Sequence, residues 1–120
     1  FIHLNKTARL FSASVGLGAI AGGADEQRLN SLLQYGLNVG LGFQIADDLL
    51  DVSASSQQLG KTAGKDALQG KLTYPCLAGI PESRKTAQTL ADRAVEMLSS
   101  FGPEADLLRH LPMELLNRKK

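Results

Sequence analysis

The amino-acid sequence predicts an all-α fold, and two observations carry that prediction. Tracts dense in Ala, Leu, Gln, Glu, Lys and Arg fill most of the 120 residues. Clear runs of alternating Val, Ile, Thr and Phe, the mark of a half-buried strand, are absent. Start and stop signals then divide the chain. A first helix is expected from about Ile2 to Ile20, ahead of Gly22-Gly23, a good C-terminal stop. A second starts near Asp25, whose carboxylate can accept first-turn amides, and continues through Asp51. Ser53 to Gly70, polar and glycine-containing, is expected as a long loop, and unstructured loops of that length are often functional. A short helix is expected over Thr73 to Gly79. Pro81 stands where a first-turn proline belongs and opens a helix from about Glu82 to Phe101. Gly102-Pro103 breaks it, and a last amphipathic piece ends in Arg118-Lys119-Lys120. Gly36, Gly40 and Gly42 fall inside the second helix, where each costs up to about 1 kcal/mol relative to alanine. Close helix–helix packing accounts for that cost better than direct ligand contact.

Composition bounds what such a chain does. Hydrophobic residues make up 43% and charged residues 21%, ordinary globular values, and 120 residues amount to one domain at most. A formal net charge of +1 gives no global field for nucleic acid or an anionic membrane, so anion binding falls to local clusters. Cys76 is the single cysteine; no intrachain disulfide can form, and a reducing compartment such as the cytoplasm is expected. The most apolar window, Leu10 to Ala24, is interrupted by serines and glycines and is shorter than the roughly 18 residues a membrane span needs. No basic region precedes a hydrophobic stretch, so no secretory signal is expected. The chain is expected to be soluble. Because Phe1 falls inside an apolar, helix-like segment, it is also expected to be part of something longer.

The chemically loudest stretch is Gln44-Ile45-Ala46-Asp47-Asp48-Leu49-Leu50-Asp51. On a helix turning about 100° per residue, Gln44, Asp47, Asp48 and Asp51 fall within an arc of roughly 100°. Like charges about 5–6 Å apart repel by roughly 3 kcal/mol at an effective dielectric near 20. The expected helix end makes this worse, since the dipole there disfavours anions. A divalent cation resolves the repulsion, and all-oxygen ligands suit Mg²⁺ better than zinc. A lone D-D-x-x-D is more often a solvated helix face, so its surroundings must decide. Those surroundings are Gly60-Lys61-Thr62-Ala63-Gly64-Lys65-Asp66 and Gly70-Lys71-Leu72-Thr73-Tyr74-Pro75, with His3-Leu4-Asn5-Lys6-Thr7 near the start. Each lysine alone reads as a solvated surface residue. Together, lysines flanked by glycines suit a diphosphate held through metal ions, because glycines let backbone amides approach an anion. No Walker motif, no zinc ligand set (His3 and His110 lie far apart) and no G-x-S-x-G elbow occurs.

Read together, these segments resemble the trans-isoprenyl diphosphate synthases of the farnesyl and geranylgeranyl type. The matching residues are Ile2-His3 with Lys6-Thr7, Gly42 through Asp51, Leu59 through Asp66, and Gly70 through Pro75. The resemblance covers the whole chain, 1–120, as about the C-terminal two-fifths of one prenyl synthase domain. It implies the C-terminal helices of the isoprenoid synthase helical bundle. It also implies Mg²⁺-dependent head-to-tail condensation of isopentenyl diphosphate with an allylic diphosphate, in a protein that is a homodimer, binds no nucleic acid and does not insert stably in a membrane. By matching position, Asp47, Asp48 and Asp51 would hold Mg²⁺, and Lys6, Lys61 and Lys71 would contact the diphosphate. Lys6, Thr7 and Gln44 would act in catalysis, the last two with their oxygens facing the developing cation. The family's first aspartate-rich motif does not occur in this sequence, so the chain alone is expected to be inactive. The wording of Gly60 to Asp66 points to the bacterial and plastid geranylgeranyl type, hence to a plastid if the source is a plant. A non-catalytic partner subunit of a prenyl synthase is the rival reading, weakened by the intact Asp47, Asp48, Asp51, Lys61 and Lys71. A terpene cyclase, which would lack the two lysine loops, ranks below it.

Overall fold

The structure is a computed structural model that describes residues 2–59 and 79–118, with side chains over 6–52 and 79–118. Four α-helices occur among the described residues, and no strand: α1 Ile2–Ala21, α2 Glu26–Leu59, α3 Ile80–Glu96 and α4 Asp106–Asn117. A single 3-10 turn, Pro103–Ala105, leads into α4.

α1 stops where the glycines direct. Gly23 takes φ 79°, a conformation that favours glycine. The Gly23 and Ala24 amides then turn back to the Ile20 and Ala19 carbonyls, both at 3.0 Å. α2 opens on its cap, with the Arg28 amide donating to Asp25 Oδ1 at 2.8 Å. It does not end near Asp51 but runs to Leu59, so the expectation of a loop from Ser53 is corrected over 53–59. Extending a packed helix through Ser, Ala and Gln needs no new nucleus, which is why a locally weak sequence continues it. The rest of that expected loop, with Lys61, lies outside the described residues, as do Lys71 and the short helix expected from Thr73, up to residue 78.

α3 starts at Ile80, just ahead of Pro81, and ends at Glu96, five residues before the expected Phe101. The Met97 amide is shared between the Arg93 and Ala94 carbonyls, and beyond it amides reach back only three residues: Leu98 to Val95, Ser99 to Glu96 and Phe101 to Leu98. The carbonyls of this turn face Arg109, whose guanidinium donates to those of Leu98, Phe101 and Gly102 and pairs with Asp106. α4 carries Pro112 in its interior, which removes the amide that would bond the Leu108 carbonyl. The Tyr35 hydroxyl takes that carbonyl instead, at 2.7 Å. A proline in one helix and a tyrosine in another thus solve one hydrogen-bonding problem and tie α4 to α2.

α2 is the central element. Its Leu32, Tyr35 and Val39 meet Ala19 of α1, Ala94 of α3 and Leu98 in one core, against which Phe11, Leu108 and Leu115 pack. Further along, Ile45 and Leu49 meet Ala87 and Leu90 of α3 in a second. The glycines separate by role. A Cβ on Gly36 would stand 2.7 Å from Ser12 Cα, and one on Gly40 2.6 Å from Ala8 Cα, so both are needed for the approach of α1. A Cβ on Gly42 would meet Leu90 Cβ at 3.5 Å, an ordinary contact. Phe11 is half-buried against Phe43, with ring centroids 5.4 Å apart. Leu10 is exposed.

Candidate active site

Gly36, Gly40, Gln44 and Asp48 recur every fourth residue along one stripe of α2. Its first half is glycine and receives the backbone of α1; its second half is polar and lies beside the first turns of α1. The close glycine contacts therefore fix where Thr7 sits. Thr7 Oγ1 donates to Gln44 Oε1 at 3.3 Å, and Gln44 Nε2 donates to Asp48 Oδ1 at 3.3 Å. Both bonds are long for their types, which marks a relay held by helix placement more than by its own strength. Thr7 and Gln44 are thus brought together, their oxygens turned toward each other. Lys6 is exposed one residue earlier on α1.

Asp47, Asp48 and Asp51 are all half-buried on the polar face of α2. Because α2 continues to Leu59, they do not stand at a helix terminus, and the dipole penalty expected for them is relieved. Asp47 Oδ1 is 2.7 Å from Nη2 of Arg118, the residue following α4. The same guanidinium carbon lies 4.3 Å from the centre of the Phe43 ring, which stacks in turn on Phe11. The Arg118 side chain is 31% and the Asp47 side chain 28% exposed, so the pair is worth only about 1 kcal/mol to stability. Phe43 and Arg118 were not singled out in the sequence as site residues. Asp47 and Arg118 are 71 positions apart, a separation that no local pattern bridges.

Among the described residues no three acidic, histidine or cysteine side chains converge into a cage for a metal ion. Asp47, Asp48 and Asp51 share a face without forming a closed site. That suits Mg²⁺, which keeps several waters and takes one or two carboxylates together with phosphate oxygens. The donors are oxygens only, and Asp47 already attracts a cation, so the residues fit such an ion. No described helix is long and apolar enough to cross a membrane.

The sequence of residues 1–103 matches the family model described as polyprenyl synthetase. The chain belongs to that family. It is 52% identical over 104 residues to a chloroplastic geranylgeranyl pyrophosphate synthase of Catharanthus roseus, across 87% of this chain and 29% of the relative. It is 50% identical over 103 residues to a chloroplastic geranylfarnesyl diphosphate synthase of Leucosceptrum canum, across 86% of this chain and 28% of that one. A decaprenyl diphosphate synthase from Rhodobacter capsulatus superposes on 96% of this chain and 48% of its own, at TM-score 0.78 and 30% identity. The chain therefore spans about 29% of the length of the curated relatives it matches.

Proposed function

We propose that the protein carrying this chain is a Mg²⁺-dependent trans-prenyltransferase that condenses isopentenyl diphosphate with an allylic diphosphate. Geranylgeranyl diphosphate is the product best supported by the names of its relatives, and farnesyl diphosphate is the alternative that the sequence resemblance implies. The observation that carries this reading is the polar face of α2. Half-buried Gln44, Asp47, Asp48 and Asp51, with Thr7 held against Gln44, lie inside the stretch that matches the family.

Asp47, Asp48 and Asp51 would hold Mg²⁺. When bound, the ion neutralises the negative charge that the leaving diphosphate gains. Lys6, exposed beside Thr7, adds a positive charge to the same leaving group, and we assign that role to Lys61 and Lys71 as well. The Thr7 and Gln44 oxygens, joined by their hydrogen bond, keep further lone pairs that would stabilise positive charge on the allyl group after its carbon–oxygen bond breaks. The isopentenyl double bond then attacks, and loss of one proton completes the product. The half-burial of these groups limits the water that would otherwise quench the cation.

This chain lacks the family's first aspartate-rich motif, and we expect it to be inactive alone. We expect a homodimer, as the family resemblance implies, and the chloroplastic relatives support a plastid setting. The test supplies the full-length protein with labelled isopentenyl diphosphate, each allylic diphosphate in turn, and Mg²⁺. Chain elongation to a prenyl diphosphate is expected, and a full-length protein that incorporates no label refutes the proposal.

A further inference from the structure

Asp47 is claimed twice. It is one of the three carboxylates on the polar face of α2 proposed to hold Mg²⁺, and it holds the guanidinium of Arg118 at 2.7 Å. Arg118 lies beyond residues 1–103, the stretch that matches the family. It leaves α4 in extended backbone, φ −64° and ψ 154°, so its position can change without unwinding that helix.

The seat of this guanidinium is specific yet incomplete. Phe43 supports it from one side at 4.3 Å, and Asp47 accepts from Nη2. Its Nε, however, is buried with no hydrogen-bond acceptor among the described residues. A group held with one donor unsatisfied gives way more readily than one that is fully bonded. Partial exposure of both partners also leaves Asp47 within reach of a hydrated cation. A guanidinium and a divalent ion at one carboxylate compete for its lone pairs and repel each other. Linkage then requires that each weaken the binding of the other by the same factor.

We propose that Arg118 is a built-in competitor of the divalent cation at Asp47, a latch that the cation must displace before the carboxylate face can take up Mg²⁺. The latch keeps Asp47 charge-balanced while substrate is absent and releases Arg118 from Phe43 when metal arrives. This inference rests on reading Asp47 as a metal-facing carboxylate. A merely orienting role for Arg118 predicts the opposite sign, since its loss would then weaken the metal.

The experiment uses the full-length protein without substrates. Free Mn²⁺ is followed by electron paramagnetic resonance as the wild type, Arg118→Gln and Arg118→Lys are titrated. Arg118→Gln is expected to bind Mn²⁺ about tenfold more tightly, with Arg118→Lys in between. In parallel, the Arg118 Nε–H resonance of the wild type, assigned by its loss in Arg118→Gln, is followed as Mg²⁺ is added. Faster exchange with water is expected as the side chain leaves Phe43. Unchanged or weaker Mn²⁺ binding in a folded Arg118→Gln protein overturns the latch, as does an Arg118 resonance that ignores saturating Mg²⁺. Should Arg118→Gln fail to fold, the Nε–H resonance, assigned by its loss in Arg118→Lys, decides alone. Absence of Mn²⁺ binding in every protein defeats the metal reading itself. Binding that is equal in wild type and Arg118→Gln defeats only the latch.

Discussion

Replacing Gly40 by alanine tests whether helix approach sets the geometry of the site. The added Cβ would lie 2.6 Å from Ala8 Cα, 3.1 Å from Phe11 Cβ and 3.3 Å from Ala8 N. Two of these atoms are backbone, so no rotamer change relieves the clash. Reaching even 3.4 Å from Ala8 Cα requires α1 to move out by about 0.8 Å. Thr7 is the neighbour of Ala8, and its bond to Gln44 is already 3.3 Å long, so the same movement breaks it. Overpacking of this kind costs about 1–3 kcal/mol, while replacing a mid-helix glycine by alanine returns up to about 1 kcal/mol. A net loss of up to about 2 kcal/mol is expected. Gly42→Ala is the internal control: it gains the same propensity, and its Cβ meets only ordinary contacts at 3.5 and 3.7 Å. Urea unfolding of the two variants followed by circular dichroism gives the comparison, and turnover of the full-length protein should fall for Gly40→Ala alone. Equal stability of the two variants, or full activity in Gly40→Ala, would refute the reasoning.

Asp47→Ala in the full-length protein should slow turnover by at least about a hundredfold, and near-normal turnover at limiting Mg²⁺ counts against the metal role. Tyr35→Phe should cost about 1–3 kcal/mol by leaving the Leu108 carbonyl without its donor, and distinctly less in a Pro112→Ala background, where a backbone amide can replace it. A double-mutant cycle in urea measures that difference. Burial pushes the pKa of the Tyr35 hydroxyl up to about 12 from its ordinary 10.0. The unfolded chain thus loses its proton first, and stability should fall as pH rises from about 10 to 12, a decline that Tyr35→Phe flattens. Arg109→Met should lower the melting temperature by several degrees, because the carbonyls of Leu98, Phe101 and Gly102 lose their shared donor.

Much of the molecule follows from short-range rules acting on the sequence alone. Helical composition, the Gly22-Gly23 stop and the Asp25 cap each act within a few residues, and the observed end of α1 and start of α2 obey them. The shared face of Gln44, Asp47, Asp48 and Asp51 is likewise a matter of 3.6 residues per turn. What lay beyond local rules was decided by contacts between distant segments. α2 runs past Ser53 because extending a packed helix needs little local propensity. α3 closes early into a turn whose carbonyls accept from Arg109, and α4 tolerates Pro112 because Tyr35, 73 positions from Leu108, supplies the missing bond. The choice of Gly36 and Gly40, rather than Gly42, for the approach of α1 depends on which way each faces a neighbouring helix. Above all, only the tertiary structure could bring Arg118 to Asp47, because an ion pair depends on distance in space, and sequence records only distance along the chain.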